Sequence, residues 1–167
     1  MQLSSSKNST IIDNDSNIYK LEKFKYFYDK KILNGQNIEI QTNYKKEKSD
    51  KFYFTSAIID FAKNKFVSKN TKVLFHKNML DKERSKEPEQ LNKFENKNDP
   101  RLSGVSSTGD EKKVVINKGI FTTCQKNDTC PPWSIKAKKI THDKIKKELI
   151  YDNAILNVYD VPVFYFP

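Results

Sequence analysis

The sequence predicts an all-β protein assembled as a stack of short strands, on three observations. Short runs of β-branched and aromatic residues recur along the chain, bounded by Asn, Gly, Asp and Lys. Apolar and polar residues alternate within several of them, as half-buried strands require. A weak internal repeat places Asn37, Asn70 and Asn153 in one column, each preceded by a lysine-rich turn.

Taken in chain order, the opening "MQLSSSKNSTIIDNDS" lacks the apolar region of a secretory signal, and residues 1–18 are expected to be disordered or a leader remnant. "KFKYFY" (Lys23 to Tyr28), "NIEIQT" (Asn37 to Thr42), "KFYFTSAIIDF" (Lys51 to Phe61) and "TKVLFH" (Thr71 to His76) read as strands. Residues 81–113 are charged, poor in apolar side chains and contain Pro88 and Pro100; they predict a long polar loop, with a short helix in its first part. Strands resume at "VVINKGIFTT", "WSIKAKKI", "ELIYDNAILNVYD" and the terminal "VPVFYFP".

Aligning the repeat tests whether the faces agree. Ile38, Ile40, Thr71, Val73, Phe75, Ala154, Leu156 and Val158 fall on one side, apolar except for the threonine. Glu39, Gln41, Lys72, Leu74, His76, Ile155, Asn157 and Tyr159 fall on the other, mostly polar. The first set describes a continuous apolar surface built rung upon rung, as in a jelly roll, an open solenoid or a folded-over sheet.

The net charge of +10 invites a nucleic-acid partner. Arg84 and Arg101 are the only arginines, however, and the lysines are spread along the chain rather than gathered in a patch. The balance therefore argues against nucleic acid. No stretch approaches the roughly 18 apolar residues of a membrane helix. No Gly-rich phosphate loop, HExxH or paired-carboxylate signature is present, so neither enzymatic activity nor a cofactor is expected.

"NDPRLSGVSSTGD", "GIFTTC", "CPPWSIKAKKITHDK" and "NAILNVYDVPVFYFP", in that order, closely resemble the periplasmic N-terminal domain of the lipopolysaccharide-assembly outer-membrane proteins, the LptD or organic-solvent-tolerance (OstA-like) family. The resemblance is strongest from Asn98 to Pro167 and extends more loosely back to about Tyr19. It implies a twisted β-jelly-roll over residues 19–167, a V-shaped open stack of short strands around an apolar groove. It also implies a periplasmic location at the outer membrane of a Gram-negative bacterium. The groove would receive lipopolysaccharide from an LptA-like bridge protein of similar fold and pass it to a C-terminal transmembrane β-barrel, which the given sequence does not contain. An LptE-like plug lipoprotein would be met through that barrel. A free-standing bridge or β-jelly-roll adaptor without a barrel is the alternative.

On this reading Ile38, Ile40, Val73, Phe75, Leu156 and Val158 line the lipid track, with Trp133 and Ile135 as neighbours. An acyl chain of about a dozen carbons, at roughly 0.8 kcal/mol per CH₂, costs on the order of 10 kcal/mol if left in water, which the track must offset. Lysines at the rim would meet the headgroup phosphates. The edge around Phe24, Tyr26 and Tyr28 would take the bridge protein by strand addition.

The only two cysteines, Cys124 and Cys130, both precede the strand-stopping prolines before the only tryptophan, Trp133. Two pairings stay open. One is a local disulfide, contributing roughly 2 kcal/mol by loop closure; the other bridges this domain to barrel cysteines, as in family members. Zinc would need more ligands than His142 provides. A nucleophile formed with His142 and Asp143 would lie across the turn "THDK", and His76 has no evident partner in sequence.

Overall fold

The computed structural model describes residues 1–45, 49–76, 99–124 and 132–167. The described residues form eleven strands: β1 (Gln2–Ser5), β2 (Ser9–Ile12), β3 (Ile18–Phe27), β4 (Ile32–Gln41), β5 (Lys51–Asp60), β6 (Lys65–Leu74), β7 (Arg101–Gly109), β8 (Lys113–Thr122), β9 (Trp133–Asp143), β10 (Glu148–Val158) and β11 (Val161–Phe166). They make one open antiparallel sheet in which β3 to β11 follow chain order. β1 and β2 both pair with β3.

Tight hairpins set the register at one end of the strands. Asp60, at the end of β5, accepts from the amides of Ala62 and Lys63, both at 3.0 Å. Asp110 does the same for Lys112 and Lys113, both at 2.8 Å, and Asp143 for Ile145 and Lys146 at 3.1 and 3.0 Å. A carboxylate that captures the amides two and three residues on nucleates each turn. The opposite strand ends carry the longer connections 42–50, 75–100 and 123–132.

Halfway along, every strand from β3 to β10 meets a common line. Asn37, Asn70, Lys118 and Asn153 have φ of 47°, 48°, 48° and 52°, the left-handed region that Asn tolerates best among residues with a side chain. The pairing ladder skips there while the register on either side stays unchanged: in β3–β4, Leu21 opposes Ile38 and Lys23 opposes Gln36, with no pair between. Two successive side chains, such as Gln36 and Asn37 or Lys69 and Asn70, therefore point outward. Beyond the line the inward side is apolar again, as with Tyr19 and Leu21 before it and Phe24 after it.

The line is a crease. A sheet without helices has only itself to cover its apolar face, yet Leu33 is 1% exposed and Ile140 0%. The hairpin half of each strand, here the hairpin arm, folds over the other half, the loop arm. Glycines give the crease room: a Cβ on Gly119 would stand 2.5 Å from Ile140 Cδ1, and one on Gly35 would stand 2.8 Å from Leu21 Cδ2.

Two expectations are corrected. Residues expected to be loose at the start form β1 and β2, because their backbone groups find partners along β3 and Ile11 packs on the first core cluster. The expected loop 81–113 yields β7 from Arg101, a strand whose inward residues include Leu102 and Ser107 but also two glycines, so it lacks an apolar signature. The short helix expected earlier in that loop lies within 77–98, outside the described residues.

Candidate apolar groove

Aromatic side chains from the two arms meet across the interior. Tyr19 on the loop arm stands edge-on to Phe61 at the hairpin tip, with ring centroids 6.0 Å apart. Further along, Phe54 meets Phe66 at 5.7 Å, Phe75 meets His142 at 5.6 Å and Phe121 meets Tyr151 at 6.4 Å. Each such pair adds about 0.5–1.5 kcal/mol beyond the burial of its area. Together they bring the two arms into contact at four points along the sheet.

The interior has two apolar compartments. Tyr19, Leu21, Phe24, Leu33, Ile38, Phe54 and Ala57 fill the first. Val73, Leu102, Ile116, Phe121 and Ile140 belong to the second. On β6 and β7 lies a ring of three buried hydroxyls, Ser68 to Thr71 at 2.9 Å, Ser68 to Ser107 at 2.6 Å and Thr71 to Ser107 at 2.8 Å. Each hydroxyl serves the other two, so none is left unsatisfied in the core.

The residues expected to line the track divide by depth. Ile38 and Val73 are 2% and 1% exposed, and Phe75 is also buried. Ile40, Trp133, Ile135 and Leu156 are half-buried, and Val158, at the strand end, is 39% exposed. All belong to the loop arm. The facing wall, with Phe61, Phe66, Val114, Ile116, Ile140 and Tyr151, was not anticipated, because simple alternation carried past the crease puts these residues on the wrong face. Its signal in the sequence is the doublet of adjacent polar residues in mid-strand: Glu22-Lys23, Gln36-Asn37, Lys69-Asn70, Asn117-Lys118 and Lys138-Lys139.

Electrostatics gather at the arm tips. Burial above all, and then Lys144, hold the His142 imidazole below its ordinary pKa, against the pull of Asp50 and Asp143. Burial also pushes the Tyr151 phenol up to about 12. His76 does have a partner, since its Nδ1 lies 2.8 Å from Asp50 Oδ1. Asp143 is committed to its turn and to Lys113, 3.4 Å away.

The expected partner edge is already occupied. Phe24 opposes Ser5, Tyr26 opposes Leu3, and the Tyr28 amide donates to the Met1 carbonyl at 3.1 Å. Cys124 sits beside Trp133, its Sγ 3.7 Å from the tryptophan carbonyl oxygen, whereas Cys130 lies outside the described residues. No protein-family model and no curated protein matches the chain.

Proposed function

We propose that the chain is a periplasmic domain of a lipopolysaccharide-assembly protein, which holds acyl chains between its arms and hands them to an outer-membrane β-barrel. The reading rests on the sequence resemblance and, in the structure, on one observation: the apolar interior is uncovered at its last rung. β11 pairs only with the loop-arm half of β10, through Ala154 to Val158. Phe164 and Phe166, which oppose the inward-facing Leu156 and Ala154, are 59% and 48% exposed. They extend the apolar surface past the point where the hairpin arm stops.

An acyl chain entering there replaces the contacts that the aromatic pairs now make with one another, so uptake requires the arms to part. Transfer needs no bond to be made or broken by the protein. The LptA-like bridge would meet the first edge through the outer sides of β1 and β2, and the LptE-like lipoprotein would be reached through the barrel. Photocrosslinking to lipopolysaccharide tests the proposal, with probes at Ile40, Leu156 and Phe164 set against probes at Glu39, Lys72 and Ile155. Capture by the first set alone is expected; capture by neither, in folded protein, reduces the interior to an ordinary core.

A further inference from the structure

Between the β2–β3 turn and the β5–β6, β7–β8 and β9–β10 hairpins, the arm tips part around a cleft of about 300 Å³. That is at the lower end of the size of small-molecule pockets, roughly 300–1,000 Å³. Its floor is apolar: Ile40, Phe52 and Phe54 from the loop arm, and Ile59, Phe61 and Phe66 from the hairpin arm. Its rim is not. Asp13 and Asp15, in the turn before β3, face Asp60, Asp110 and Glu111 from the hairpin tips, with Lys65 and Lys144 among the lining residues.

This acidic rim belongs to a chain whose net charge is +10, so it runs against the overall field. Lysines offset it in part, Lys63 pairing with Asp60 at 3.7 Å and Lys65 and Lys144 acting on Asp110, and the carboxylates stay in excess. The Lys144 ammonium donates to the Asp110 carbonyl oxygen at 3.2 Å and lies within the field of Asp110, Asp50 and Glu111. Among the described residues no three His, Cys, Asp or Glu are grouped to hold a metal ion. The carboxylates therefore ring the opening and do not converge on one point.

An apolar floor takes hydrocarbon, and a dispersed ring of carboxylates suits a diffuse organic cation while repelling phosphate. We infer that this cleft binds an amphiphile with an ammonium-bearing head, its tail against Phe52, Phe54, Phe61 and Phe66 and its head at the Asp13, Asp15 and Glu111 rim. The inference goes beyond the transport reading, since the headgroup selected here is of the opposite charge to lipopolysaccharide phosphates.

The test is calorimetric titration of the full chain with dodecylamine, dodecanoate and dodecyl maltoside, each below its micelle concentration. Dodecylamine is expected to bind about tenfold more tightly than dodecanoate, the equivalent of roughly 1.4 kcal/mol. Added salt should narrow the gap. The variant D15N/E111Q, with circular dichroism and melting unchanged, is expected to remove the preference; if that variant does not fold, D15N alone at high and low salt gives the same reading. Equal binding of the two charged probes, a preference for dodecanoate, no binding of any probe, or an ammonium preference indifferent to both the variant and salt would each overturn the inference. Acyl-chain crosslinking at Leu156 and Phe164, far along the sheet, reads the transport proposal separately.

Discussion

At its first edge the sheet is covered twice. β2 pairs with the loop-arm half of β3 and β1 with the hairpin-arm half, so both walls of the V are capped by short uncharged strands. At its last edge a single strand, β11, extends one wall only, and all six of its residues are exposed. An uncharged apolar edge such as β11 invites strand addition. The two edges differ in kind: the first is paired over both walls, the last over one.

The largest expected effect comes from truncating equivalent inward positions at the two ends. Leu21→Ala, at a residue 2% exposed, should cost about 2–5 kcal/mol in urea unfolding, and Phe164→Ala, at 59% exposed, roughly 0.5 kcal/mol or less. Comparable losses would erase the contrast. A smaller effect checks that the crease itself is uniform. Gly35→Ala and Gly119→Ala each force a Cβ against a neighbouring aliphatic chain, and each should cost about 1–3 kcal/mol by thermal melting. If only one does so, the asymmetry reaches beyond the edges.

Acid separates the ends in another way. Burial acts to raise the Asp13 pKa, but hydrogen bonds from the Asn17 amide and side chain, the Tyr19 hydroxyl and the Asp15 amide outweigh it, and the net shift is downward. A carboxyl with a lowered folded pKa contributes stability above its unfolded value of 3.8, and that contribution is lost as pH falls through the folded value. Amide exchange of residues 9–19 should therefore quicken below that pH while β11 shows no matching step, and Asp13→Asn should abolish the difference. The smallest change in stability is expected from Val163→Lys, within roughly 0.5 kcal/mol, since the site is exposed. Its readout is association: light scattering of the concentrated protein should fall, as a charge on a bare edge discourages pairing.

The strands were largely legible in sequence because β-branched and aromatic runs mark them, and the repeat column at Asn37, Asn70 and Asn153 proves to be the crease. Lys118, the fourth member, escaped notice because Lys carries no signal for a left-handed backbone. β7 was hidden by its serines and glycines, whose value lies in the hydroxyl ring and the close approach to Ile116, not in hydrophobicity. For the groove, one wall could be read from alternation, and the other was lost where alternation slips at the crease. The acidic cleft was not legible at all, since its carboxylates come from separate turns that only the folding of the sheet brings together.

From β4 onward each strand is bonded only to its neighbours in sequence, and this linear order governs how the molecule breathes. Its thermodynamics approximate a one-dimensional chain of coupled units, in which disorder starts where a unit has one neighbour and spreads one interface at a time. The hydroxyl ring on β6 and β7 is a natural stopping point, since separating it exposes bonded polar groups instead of sliding one apolar contact for another. Disorder that starts at β11 thus crosses β10, β9 and β8 before it meets the ring, while the strands before β6 keep their register.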